Sequence, residues 1–530
     1  MSPRPAVPEA PAPVPGTEGR PATLLRHADR KRLLMLLLGL LVGLDFLENG
    51  MFVFAASHIA GGVDAGPREF AQVQAIYAVA SMLTIAMQQW LSRHFGYRRY
   101  LAGALALFIA GALAAAQAGS IAGLTLARAV QGLGAGALFT SSRILVQMLF
   151  APADRPDATK RFMVGAFGAG ALAPILAAAM VDGWGWQWVF LAILPLAGLA
   201  LAGVLTLLPD GVGRGGAPVR WAAGPLLFFA AAIGCVQWAL SEARYEVFAH
   251  PARLTLAVLG GAALAGAFLL HQWRHDEPLL RLRELRHPAF VTGLGLYFLY
   301  YFLTNFSGYL FPIFAERSLG LPLATTGRLN SFAGAVSVGM AWLYIRFGAR
   351  MTRKKPLVVG GALGLALTAW LFAVLPPDAP AAALWVGVAV KGLFGVLMIL
   401  PVAGLTFRSL GDEQFAHGYQ SKNLMRQLAG SFSTAVAAIA LQDRQFATAS
   451  DLSARLNAAN PSAVQWLDTL QAGFAAHGMA PAQAHGAALA ELSRVVDQQS
   501  LLMACEDLYC GLGLLALATA LVVLVQRRLK

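Results

Sequence analysis

Two carboxylates stand inside one apolar run: Asp45 and Glu48, in "GLDFLENGMF" (43–52). Three residues apart, they share one face of a helix. Further along, Arg128 opens "RAVQGLGAGA" and Arg143 follows it, while Lys391, Lys422 and Arg426 interrupt later apolar runs. A charge held in hydrocarbon is expensive and is tolerated where it faces a partner or a wet cavity. A carboxylate in that setting is pulled two ways, since desolvation favours its neutral form and a nearby arginine its ion. A group balanced in this way can take up and release a proton, or meet a cationic ligand.

The elements that must position these groups follow from composition. Of 530 residues, 57% are hydrophobic and only 13% charged, where a soluble protein carries about a quarter. Apolar runs of about 20 residues recur, each able to cross a ~30 Å hydrocarbon core as a helix. The expected fold is all-α, a polytopic membrane protein of about 14 transmembrane helices. Residues 1–32, rich in Pro and Ala at their start, read as a disordered cytoplasmic N-terminus. Helical bundles are expected over 33–208 and 288–526, with two linker helices in 220–273. Residues 442–502 are polar to amphipathic and form an expected periplasmic helical insertion, with helices opening at Pro461 and Pro481.

The net charge of +13 raises nucleic acid as a partner, but the placement of the charges argues for topology instead. Lys and Arg cluster in alternate loops: "HADRKR", "RHFGYRR", "DRPDATKR", "RHDEPLLRLRELRH", "RMTRKK" and the final "QRRLK". That bias puts both termini in the cytoplasm. Three cysteines offer neither a disulfide framework nor metal-ligand spacing, and the ten histidines are scattered singly, so an enzyme is not expected and no metal site is assigned. The first apolar run is too long for a secretory leader. No P-loop is present, which leaves the proton motive force, rather than a cofactor, as the energy source.

Depth links two of the charges. Asp45 lies about twelve residues into span 1, ~18 Å deep, and Arg128 enters from the other side to ~19 Å, so the two are expected to meet near the midplane. Glu48 then leaves a surplus negative charge. Span 9, "YFLYYFLTNFSGYLFPIF" (297–314), offers a substrate surface through Tyr297, Tyr300, Tyr301, Asn305 and Tyr309. Its rings run through the middle of the span rather than gathering at its ends as an interfacial belt does, and aromatic faces bind flat molecules and attract cations. Gln74, Tyr77 and Gln88 on span 2 are further candidates to line the same cavity.

Several motifs resemble those of the major facilitator superfamily, in particular the fourteen-span drug:proton antiporters of the EmrB/QacA type, and closest to the EmrB branch. "LARAVQGLGAGA" (126–137) is similar to the span 4 motif through Arg128, Gln131 and Gly132. "LSRHFGYRR" (91–99) resembles the span 2–3 loop motif through Gly96, Arg98 and Arg99. "APILAAAMVDGWGWQWVFLAILP" (173–195) resembles the span 5 signature through Pro174 and Asp182. "NLMRQLAGSFSTAV" (423–436) and the long outer segment are similar to the EmrB branch. The resemblance covers almost everything after residue 33. The chain departs from it at Arg93, where an acidic residue is common, and at Ala173 and Ala177-Ala178, where the span 5 signature has glycines. Glu48 and Asn49 are also outside the common pattern.

The resemblance implies two six-helix bundles with two inserted helices. It also implies proton-coupled export of amphipathic or aromatic toxic compounds across a bacterial inner membrane by alternating access. Asp45, Glu48 and Arg128 would couple to protons, and a periplasmic adaptor and an outer-membrane channel would continue the path. The altered span 5 glycines keep a proton-coupled importer or exporter of a specific metabolite or siderophore open on the same fold. A non-transporting membrane sensor is the alternative of another class.

Overall fold

Backbone polar groups in hydrocarbon must be satisfied within their own segment, so long apolar runs fold as helices. The computed structural model describes residues 27–214 and 223–526, apart from 276–277, 284, 352, 377–380, 409 and 458. The first helices are α1 (His27–Phe54), α2 (Ala56–Gly62), α3 (Pro67–Phe95), α4 (Tyr97–Ala116), α5 (Ile121–Leu149), α6 (Arg155–Trp184), α7 (Trp188–Leu191) and α8 (Leu194–Leu207). Next come α9 (Ala223–Ala249), α10 (Pro251–Arg274), α11 (Pro288–Pro312) with a π-helical turn at Ile313–Ser318, and α12 (Leu323–Arg346). The last are α13 (Lys355–Ala373), α14 (Ala381–Phe407), α15 (Asp412–Arg455), α16 (Pro461–Ala476) and α17 (Pro481–Val525). No strand occurs among the described residues.

Among the described residues, thirteen helical segments are long and apolar enough to cross a membrane, the short α7 continuing into α8 as one of them. The fourteenth, α12, is long enough at 24 residues, but Thr325, Thr326, Arg328, Asn330 and Ser331 dilute its first half. Its polar residues have a use, because α12 packs against both α6 and α14. Pro174 interrupts the α6 backbone ladder, and the neighbouring amide of Ile175 donates to Ser331 Oγ at 3.1 Å.

The helices before residue 208 pack among themselves: α1 lies on α6, α3 and α4 on α5, and α8 against α4 and α1. After residue 288, α13 packs on α14 and α17, and α11 on α14 and α15. Here these groups are called the first and second halves. They meet along α6 with α12 and along α3 and α5 with α15. Between them in sequence, α9 packs on α3 and α15, and α10 packs on α9. Arg68 of α3 anchors α9 by reaching both Glu242 and Glu246, at 2.5 and 2.6 Å.

Small residues set the distances of α6 from α1 and from α12. A Cβ at Gly165 of α6 would collide with the carbonyl of Gly39 on α1. Where α6 carries Ala173 and Ala178, the glycine sits opposite: a Cβ at Gly50 would lie 2.7 Å from the Ala173 methyl, and one at Gly327 would lie 3.2 Å from that of Ala178. Close approach is therefore kept at these contacts, with the smaller residue on the partner helix.

Candidate functional site

The close contact of α3 and α5 builds the deepest part of the site. A Cβ at Gly132 would lie 2.6 Å from the Tyr77 carbonyl. With glycine there, the Tyr77 ring is pressed onto Arg128 one turn away. The Arg128 guanidinium lies between two rings, 3.9 Å from the centroid of Phe52 and 3.9 Å from that of Tyr77. It is fully buried, donates to Gln131 Oε1 at 2.7 Å, and forms an ion pair with Glu48 Oε1. The Tyr77 hydroxyl faces Glu48.

Asp45 lies one turn back along α1 and has a different cation. Its Oδ2 accepts from Arg426 Nη2 of α15 at 3.2 Å. The expected meeting of Asp45 with Arg128 is therefore corrected: Arg128 takes Glu48, and Asp45 is held from the other half. Depth along a helix axis fixes the level of a residue but not which neighbour its face meets. The rotation of ~60° between side chains at residues 45 and 48 is enough to change the partner.

Around this second pair, α15 is fastened to the first half by neutral groups. Asn423 donates to Thr140 Oγ1 at 2.6 Å, and Gln427 donates to Ser81 Oγ at 3.0 Å. Gln420 donates to the carbonyls of Ile85 and Ala86 at 2.8 and 2.7 Å. On an adjoining face of α15, an aromatic layer joins Phe139 and Phe162 of the first half to Phe415 and Tyr419 of the second. The Arg426 guanidinium lies over Phe139 at 4.7 Å.

The span 9 candidates divide. Tyr297 and Tyr301 are stacked, with centroids 6.0 Å apart, and both face the Lys422 ammonium. Tyr300 meets Tyr301 edge-on at 5.2 Å. Asn305 is exposed and donates to the Tyr301 carbonyl at 2.6 Å. Tyr309 lies two turns further along α11, packed against the core of the second half. On α3, Gln74 reaches Asn49 Oδ1 at 3.5 Å, and buried Gln88 donates to Ser141 Oγ at 3.3 Å, so Gln88 joins α3 to α5.

Of the motif residues, Gln131 and Gly132 belong to the deep site and Pro174 to the α6–α12 contact, while the loop residues and Asp182 lie away from it. Gly96 takes φ +76° where α3 turns into α4, a conformation that favours glycine. Arg98 ion-pairs with Asp210 at 2.6 Å, while Arg99 and Asp182 are exposed. Lys391 stands apart in the second half, 5.5 Å from the Phe311 ring. Arg143, Lys422, Arg426 and Phe52 are residues of this region to which the sequence alone assigned no role. Lys422 and Arg426 carried a signal, being two cations at i, i+4 in a span with no other charge.

Many apolar crossings around a buried polar seam between two helical halves define a multi-pass membrane transporter of the major facilitator fold. Residues 38–434 match the family model described as Major Facilitator Superfamily. The chain belongs to that superfamily. It is 22% identical over 476 residues to the multidrug export protein EmrB of Escherichia coli (strain K12), covering 89% of this chain and 90% of that one. It is 21% identical over 445 residues to the uncharacterized MFS-type transporter YhcA of Bacillus subtilis (strain 168), covering 82% of each. Among solved structures, a mutant of the peptide transporter POT superposes with a TM-score of 0.59 at 17% identity, over 95% of this chain and 96% of that one. At that identity the likeness concerns the fold alone.

Proposed function

We propose that this transporter is a proton-coupled exporter of amphipathic aromatic compounds that works by alternating access. One observation carries the reading. Two carboxylates one turn apart are paired with cations of different halves, Glu48 within the first and Asp45 across the seam to Arg426. Protonation of Asp45 removes the charge that holds Arg426, so the link between the halves loosens as a proton arrives. Rocking then exposes the seam to the other side, and loss of the proton restores the pair. The Glu48–Arg128 pair, clamped between two rings, stays with its half throughout.

Several relatives bear multidrug-resistance or multidrug-export names, which supports a toxic, amphipathic cargo. The loop charge bias supports an inner-membrane location with both termini in the cytoplasm. The outer parts of α15 and α17, with α16 between them, form the surface on which a periplasmic adaptor, leading to an outer-membrane channel, would dock.

The test is purified protein in proteoliposomes with an imposed pH gradient and a fluorescent aromatic probe. Probe movement against the proton flow is expected, with loss of coupled movement in Asp45→Asn. Probe moving with the protons would make the protein an importer.

A further inference from the structure

Charge does not balance at the seam. Glu48 is taken by Arg128 and Asp45 by Arg426, and two more cations remain. Lys422 is buried on α15, with its ammonium facing four rings: Phe139 at 4.6 Å, Tyr419 at 4.8 Å, Tyr297 at 5.3 Å and Tyr301 at 5.6 Å. Its hydrogen bond goes to the neutral Asn423 Oδ1 at 3.2 Å. Arg143 of α5 lies over Phe415 at 4.9 Å, and its Nη1 is buried without a hydrogen-bond partner.

Among the described residues, neither cation has a carboxylate within ion-pair distance. The charges that act on Lys422 are Arg426 and Arg143, both of its own sign. Ring faces attract a cation, but by less than its removal from water costs. Lys422, which is buried, and Arg143, which is half-buried with its Nη1 fully covered, are thus two basic groups beside Tyr297 and Tyr419 that no carboxylate of the protein compensates.

We propose that the transported compound is an aromatic anion. Its carboxylate or phenolate is held by Lys422 and Arg143, and its ring lies against the stacked Tyr297 and Tyr301. The assignment rests on the transport reading above and names the substrate class of the same site. Of the two options that the sequence left open for Asp45 and Glu48, a proton or a cationic ligand, it leaves the proton. Both carboxylates are already spent on arginines, and a cationic ligand would add a further positive charge beside Lys422.

Two fluorescent probes with one ring system and opposite charge test this: pyrenebutyrate and pyrenemethylammonium, titrated against the full chain in lipid nanodiscs. Pyrenebutyrate is expected to bind about tenfold more tightly or better, the size of one charge-assisted hydrogen bond. Equal affinity, or preference for the ammonium, overturns the assignment without any variant being needed. Lys422→Gln should remove most of the preference, Arg143→Gln part of it, and Lys422→Arg should retain it. An undiminished preference in both glutamine variants overturns the placement. In proteoliposomes, anion preference without response to a pH gradient would remove proton coupling but leave the ligand class standing. Gradient-driven export of an equally well-bound ammonium probe would do the reverse.

Discussion

Asp45 and Glu48 lie one turn apart on the same helix, yet the two ion pairs they form are built differently. The Glu48–Arg128 pair is sealed, with a guanidinium between Phe52 and Tyr77 and a second bond to Gln131. The Asp45–Arg426 pair is longer, its arginine is half-buried, and its partners come from opposite halves. A sealed pair inside one packed body resists separation, because either partner alone would be a buried, uncompensated charge. A pair spanning a seam of neutral hydrogen bonds can open with modest loss. One is suited to hold a bundle together, the other to report whether the bundles are together.

This contrast can be broken in three ways. The largest effect is expected from Arg128→Met, which leaves Glu48 buried without its cation. The loss should be about 3–5 kcal/mol in chemical unfolding in detergent. Arg426→Met should lose only about 1–3 kcal/mol, and equal losses would erase the distinction. Next, Asp45→Asn should lower pH-driven transport in proteoliposomes by about tenfold or more while unfolding shifts by less than about 1 kcal/mol. A fold change in stability rather than in coupling would make Asp45 structural. The smallest effect is expected from Phe52→Leu, which takes one ring from the sandwich and should reduce stability by about 1 kcal/mol. A null result there would mean that Tyr77 alone suffices.

Much of this architecture is legible in the sequence because hydrocarbon imposes its own grammar. Each crossing must be a helix of about 20 residues, and runs of that length stand out. The span 4 spacing likewise places Arg128 and Gln131 on one face, where they bond. Azimuth is less legible. Nothing local in "GLDFLENGMF" tells which face of α1 turns toward α5 and which toward α15, and that decides the partner of Asp45. The sandwich depends on Phe52, Tyr77 and Arg128, residues on three helices far apart in sequence. Nor could the sign of the site be read from Asp45 and Glu48 alone. The proposed preference for an anion comes instead from Lys422 and Arg143, which the packing brings to the seam.

The length of α15 has a mechanical consequence. At 44 residues it spans ~66 Å, twice the hydrocarbon thickness. Arg426 is where it meets Asp45, and Arg455 ends it 29 residues later (455 minus 426), ~44 Å away. A tilt of about 10° at Arg426 would sweep that tip through ~8 Å if the rod stays straight. If the halves rock as proposed, the helix that grips Asp45 would also act as a crank, carrying a small tilt at one carboxylate out to a far larger displacement at its tip.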